Sequence, residues 1–433
     1  MAASTGAFAG SMADLTQSDG LVGNAWREPP RPRVAPSGSS SLRAIEDNIF
    51  LPRRLYAFCG ALLACYVAVF VSYIRNGVWL FDPAGRVNFV DFISFWINAR
   101  FTVTPAAADA YTYTAFAAAQ APFVAITRGA YPYFHLVYPP TLFPLIATLG
   151  LLPYAQAFAV WMLATTALYL GALHRILPVK GVSLIALLPY AVPANLFLGQ
   201  TGFLVAGLLG MALSLMATRP FLAGLCLGLL TCKPQYGLIF PVVLLVIGQW
   251  RMIAGACVSF AGLALAVSGF YGVAIWGAYV GAFGTTSLET FMTDDGLDAI
   301  DQTVFGVMHW FGAGFAAKWS VHLVAAALMT AFVCVVCRRP TSGRLKAAAL
   351  GVGALFVTPY MMAYDLTGLT IPAAFLAQEG LATGFLPGER LTLLACFLGL
   401  FLMQTFPVGP LILAALMALV LRRVFPGRAR RLA

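Results

Sequence analysis

The sequence predicts an all-α integral membrane protein, a polytopic helical bundle, on two observations of composition and one of pattern. Of 433 residues, 61% are hydrophobic and 10% charged, against roughly 45–50% and 25% in ordinary soluble domains. Many windows approach the ~20 apolar residues that a bilayer crossing takes. Helix breakers recur between them, at Pro178, "GQTG" (199–202), Arg219-Pro220, Lys233-Pro234, "QWR" (249–251) and Pro407, and punctuate the chain into spans. The same figures exclude a soluble multidomain protein.

Taken in order, residues 1–50 are expected to form a disordered cytoplasmic tail. Its first 45 residues are rich in Ser, Pro, Gly, Ala and Arg and lack the roughly 7–15-residue apolar core of a cleaved signal peptide. Residues 51–425 follow as one transmembrane domain. Twelve spans are expected, at 55–75, 155–173, 182–198, 201–218, 220–232, 235–249, 252–275, 316–337, 346–361, 364–378, 390–405 and 409–422. Two long outer segments lie at 76–137 and 276–315, and a basic cytoplasmic C-terminus at 426–433. The apolar stretch "YPPTLFPLIATLGLLP" (138–153) reads as a helix that dips into, or lies on, the outer face. Counting it as a crossing would invert everything downstream and destroy the charge bias described next.

Lys and Arg collect in cytoplasmic loops. With the N-terminus inside, 20 of the 26 basic residues fall on the cytoplasmic side. Only Arg75, Arg86, Arg100, Arg128, Lys233 and Lys318 stay outside. The net charge of +10 is thus topological, facing anionic head groups of membrane lipids and not nucleic acid. The eight cysteines lie in or at the ends of apolar segments and read as packing residues; Cys334-x-x-Cys337 ends a hydrophobic run beside Arg338 and Arg339.

Acids contribute little to orientation, so their placement informs on chemistry. Nine of 16 fall on the outer side: Asp82, Asp91, Asp109, Glu289, Asp294, Asp295, Asp298, Asp301 and Asp365. The segment 76–137 is rich in Trp and Tyr, which favours short helices lying at the interface. In "NFVDFISFWINAR" (88–100), Asp91, Phe95 and Asn98 share a helical face and Arg100 emerges opposite. A carboxylate without that partner in aromatic surroundings has a raised pKa and suits a general base. Spacing alone leaves open that Asp91 caps the following helix or faces water.

Asp294, Asp298 and Asp301, at i, i+4, i+7, could hold a divalent cation or form a solvated acidic face; no other cofactor is expected. His309 could be a phosphate partner or an interfacial histidine beside Trp310. With four histidines and no HExxH, a zinc site is not expected. Lys233, at a span end on the side that charge bias disfavours, is a snorkelling anchor or a point charge for a lipid phosphate.

Six ordered pieces carry a resemblance: "VDFISFWINAR" (90–100), "YPP" (138–140) with "LLPYAQAFAVW" (151–161), "LGQTGFL" (198–204), "RPFLAGLCLGLLTCKPQYGLIFP" (219–241), "DQTVFGVMHWFG" (301–312) and "TPYMMAYDLTGL" (358–369). Across about 80–370 the chain resembles the polyprenyl-phosphate-mannose-dependent mannosyltransferases, glycosyltransferase family 87 of the GT-C superfamily. The resemblance implies a GT-C-like bundle and a hexose, mannose or a relative, passed from a polyprenyl-phosphate donor to a lipid or glycan acceptor. It also implies inversion, with the acid of the first outer loop, here Asp91, as catalytic base. Lys233, His309, Arg100, Gln200, Tyr364 and Asp365 are the candidate substrate-binding residues. Tyr360 departs from the family, in which many members have histidine there. A bacterial inner membrane with the site facing the periplasm is expected. The alternative class is a transporter or lipid flippase; no two-half repeat supports it. A scaffold protein would need neither Asp91 nor Lys233.

Overall fold

The structure is a computed structural model that describes residues 41–88, 90–123, 135, 137–284 and 301–426. Every regular element among them is helical. The first part runs through α1 (Ser41–Ile49), α2 (Pro52–Arg75), α3 (Phe92–Thr102), α4 (Tyr113–Gln120) and α5 (Tyr154–Ile176). The middle holds α6 (Ala191–Leu198), α7 (Gly202–Leu215), α8 (Pro220–Leu229), α9 (Ile239–Val246), α10 (Trp250–Tyr271) and α11 (Ala274–Ala282). The last part holds α12 (Val304–Trp310), α13 (Phe315–Arg338), α14 (Gly343–Phe356), α15 (Thr370–Thr383), α16 (Glu389–Gly399) and α17 (Gly409–Val424).

Helix occupies each of the twelve expected intervals, but four helices are long and apolar enough to cross a membrane: α2 over Arg53–Arg75, α5, α10 and α13. Prolines shorten several of the others. The interval 182–198 is two helices, Val182–Ala186 and α6, parted around Pro189, where the ring removes an N–H and fixes φ. The interval 346–361 ends as helix at Phe356, three residues before Pro359. The stretch Pro140–Leu151 alternates 3₁₀ and α turns. At about 1.5–2 Å per residue it falls short of the ~30 Å hydrocarbon core. Its place is set by Trp96, whose Nε1 donates to the Leu152 carbonyl at 2.9 Å.

The core gathers on α7 and α14, which are buried nearly all round, and on the inner face of α15. By contrast α2 buries only 6% of its apolar window, and α5 44%. The bare Val67, Val71, Leu265, Phe270, Leu323 and Val324 on α2, α10 and α13 are the apolar surface that lipid would cover. Small residues bring α8 and α10 together. A Cβ at Gly224 would sit 2.1 Å from the Met252 carbonyl oxygen, and one at Gly255 2.2 Å from that of Phe221. With Gly228 facing Ser259, this is small-xxx-small packing, which lets two backbones touch.

Part of the expected tail is ordered. Leu42, Ile45 and Ile49 follow helical spacing in α1, and Glu46 is buried. Arg390 pairs with both Asp47 and Glu46, and the Leu391 N–H donates to Glu46 at 3.2 Å. Composition hid this because Ile45 and Ile49 stay exposed and the helix is held by its acids, whose partners lie more than 340 residues away. The ion pairs Arg344–Glu379 and Arg423–Glu389 gather at the same end of α15, with its C-terminus. A different set of charges gathers at the other end.

Candidate active site

Asp91 stands immediately before α3, where a carboxylate would ordinarily cap the helix, yet its side chain makes no capping hydrogen bond. Its Oδ2 instead accepts from Gln200 Nε2 at 2.8 Å. The helix-cap alternative is therefore set aside. Helical spacing is upheld too. Phe95 packs on Tyr138 and Trp161, with centroids 5.0 and 5.8 Å apart. Arg100 leaves the opposite side, its guanidinium lying over Trp96 and Phe123 at 5.0 and 5.3 Å.

The "GQTG" breaker turns out to be the shelf that presents Gln200. Helix α6 ends at Gly199 in the left-handed region, φ +70°, a conformation glycine adopts without strain. A side chain there would also strike Phe92, 2.5 Å from its Cβ. The Gly199 and Gln200 N–H groups both return to the Asn195 carbonyl, Asn195 Oδ1 accepts from Gly202 N–H at 2.8 Å, and Trp161 Nε1 donates to the Gly199 carbonyl at 3.1 Å. Gln200 is fully buried, and its Oε1 accepts from Tyr138 Oη at 3.2 Å.

A second group lies beside the first. Lys233 is 4% exposed and its Nζ contacts both oxygens of Asp365, at 2.9 and 3.1 Å. Pro234 keeps the lysine itself out of helical backbone, at φ −136° and ψ 77°. Three tyrosine rings surround the ammonium: Tyr364 at 5.0 Å, Tyr236 at 5.9 Å and Tyr138 at 6.0 Å. Such an aromatic wall favours a cation electrostatically. Tyr138 thus joins the two groups, its hydroxyl on Gln200 and its ring against Lys233. Burial pushes the Asp91 carboxyl up to about 6, while the Gln200 hydrogen bond and the Lys233 charge act in the opposite sense. The charge of Lys233 therefore reaches Asp91.

Asp301, before α12, is buried. It accepts from the Met361 N–H at 3.2 Å and from Thr303 Oγ1 at 3.1 Å, and burial lifts its carboxyl to about 7. It pins the 358–362 segment, so Tyr360 lies in electrostatic range of Asp91, Asp301 and Asp365 together. Asp294 and Asp298 lie outside the described residues. Among the described residues no three His, Cys, Asp or Glu side chains converge as metal ligands would.

Of the seven candidate residues, the structure brings five together: Asp91 with Gln200, and Lys233 with Asp365 and Tyr364. His309 is elsewhere engaged, its Nδ1 2.6 Å from Lys318 Nζ, and Arg100 is on the far side of α3. Sequence reasoning missed Tyr138 as the joining residue, though "YPP" contained it, and missed Tyr236; it offered Asp301 as a cation ligand beside Asp294 and Asp298, not as the acid that holds the Met361 N–H. Nothing in a single sequence marks which tyrosines of an aromatic-rich chain meet a lysine.

Among the described residues, apolar helices long enough to cross a membrane, with a cluster of carboxylate, amide, ammonium and phenol groups gathered at one end, fit a membrane protein. Residues 136–363 match the sequence model of glycosyltransferase family 87, and the chain belongs to that family; it is a glycosyltransferase. The match covers Tyr138, Gln200, Lys233, Asp301 and Tyr360, while Asp91 precedes it and Asp365 follows it. Comparison with curated proteins and with solved structures gave no significant match. The transporter and scaffold alternatives give way to the family assignment.

Proposed function

We propose that the chain is a GT-C-type enzyme of twelve spans that passes a hexose, mannose or a relative, from a polyprenyl-phosphate donor to a lipid or glycan acceptor on the extracytoplasmic side of a bacterial inner membrane. The observation that carries this reading is a carboxylate that does not cap its helix, is held by one amide and sits in the field of a buried ammonium. In the proposed step, Asp91 takes the proton of an acceptor hydroxyl as that oxygen bonds to the anomeric carbon. The bond from that carbon to the phosphate oxygen breaks, its electron pair leaves with the polyprenyl phosphate, and the anomeric centre inverts. Asp365 already contacts Lys233, but an ammonium has three N–H donors. We assign a remaining one to the departing phosphate, whose charge develops in the transition state. Tyr364 lies against the Lys233 ammonium at 5.0 Å, and Tyr360 is in electrostatic range of Asp91 and Asp365. Arg100 and His309 are left outside the chemistry.

Lipid and glycan analysis of a strain lacking the gene tests the reading. The expected result is an envelope lipid or glycan short of one hexose, with its acceptor accumulating and restored by the wild-type gene. An unaltered profile in which polyprenyl-phosphate hexose is consumed normally would count against it.

A further inference from the structure

We infer that Tyr138 and Gln200 are positioning residues for Asp91: Tyr138 Oη and the Thr201 N–H lock the Gln200 amide so that its nitrogen, and not its oxygen, faces the carboxylate. The inference rests on the reading of Asp91 as base and adds the residues that hold it.

A side-chain amide is nearly symmetric in shape, and its hydrogen-bond network decides which end points where. Here that network is one-sided. The Thr201 N–H lies 3.3 Å from Gln200 Oε1, and a backbone N–H can only donate. Tyr138 Oη donates to the same oxygen at 3.2 Å; a hydroxyl can donate or accept, so Tyr138 anchors the amide while the Thr201 N–H sets its sense. Nε2 is thereby left against Asp91 Oδ2 at 2.8 Å. Turned over, the amide would set N–H against N–H at Thr201 and an oxygen against the carboxylate. Gln200 and Thr201 are fully buried, which leaves such an orientation without solvent to relieve it. Oδ2 is committed to this contact, and Oδ1 is the oxygen offered to an acceptor.

The charged and titratable groups around Asp91 are few. Lys233, after α8, is paired with Asp365. Tyr138, Tyr154, Tyr360 and Tyr364 lie in electrostatic range, and phenols stay neutral at the pH concerned. Arg100, on α3 itself, points away.

Difference infrared spectroscopy of the purified full chain follows the Asp91 carboxyl directly, with its protonated band assigned by subtraction of Asp91→Asn; neither donor nor acceptor is needed. Tyr138→Phe removes one oxygen and frees the amide to rotate. Gln200→Met removes the amide at similar size, and Gln200→Glu places a second acid beside Asp91. The titration midpoint is expected to rise by about one pH unit in Tyr138→Phe and Gln200→Met, and further in Gln200→Glu. Tyr154→Phe, which removes a nearby hydroxyl outside this network, is expected to leave it in place. An unchanged midpoint in both Tyr138→Phe and Gln200→Met overturns the inference, as does an equal rise in Tyr154→Phe. The two readings separate by assaying Asp91→Asn with radiolabelled polyprenyl-phosphate mannose and a membrane lipid extract. Retained turnover with the midpoint shifts intact sinks the base reading and spares the positioning of Asp91 by Tyr138 and Gln200. Lost turnover with no midpoint shift sinks the positioning inference alone.

Discussion

Asp91 and Arg100 lie nine positions apart on one short segment, and the helical period alone sets them on opposite sides. Asp91 and Gln200 are 109 residues apart, Lys233 and Asp365 132 apart, and no local pattern pairs them. The single sequence therefore showed which acid lacked a neighbour but not which amide supplied one. That amide bears on pH dependence. An exposed aspartate titrates near 4, whereas burial holds Asp91 near 6. A base must be ionised to act, so kcat/KM is expected to fall as pH drops through about 6, with an acid limb that Asp91→Glu displaces. A limb near pH 4 would contradict this environment. Stability has the opposite sign. A carboxyl raised in the folded state favours folding most below its unfolded value near 4, and that contribution is lost as pH rises through about 6.

Among the elements, the long apolar helices α2, α5, α10 and α13 were legible because their length and composition admit one reading. The broken ones were not, since proline at 189 or 359 could as easily kink a span as end it. Helix contacts were less legible still. Gly224 and Gly228 form a GxxxG spacing whose partner, Gly255 and Ser259 on α10, only the fold identifies. The same substitution should have opposite effects on the two helices. Gly224→Ala places a methyl against the Met252 carbonyl and is expected to lower thermal stability by about 1–3 kcal/mol. Gly262→Ala, on α10 with open space around it, is expected to be neutral or stabilising by up to about 1 kcal/mol. Melting curves of the detergent-solubilised chain check both, and equal melting temperatures would refute the tight approach of α8 and α10.

Over the whole molecule, two polar clusters occupy opposite ends of α15. Asp365 leads into the helix and pairs with Lys233, while Glu379 near its C-terminus pairs with Arg344. Arg344, Glu379, Glu389, Arg390 and Arg423 all fall in segments that the basic-residue bias assigns to the cytoplasmic side, so a cytoplasmic location for this end is the proposal that goes with the proposed function. Family membership fixes the reaction class as glycosyl transfer. The matched region begins after Asp91, so the carboxylate enters the account through its contact with Gln200, inside that region. The most direct test is turnover of the purified chain in lipid nanodiscs, with radiolabelled polyprenyl-phosphate mannose and a membrane lipid extract as acceptor pool. Loss of a general base is expected to cut the rate of Asp91→Asn by about 10²–10⁴-fold with donor binding retained. Turnover within a few-fold of wild type in Asp91→Asn would contradict the assignment of Asp91 as the base.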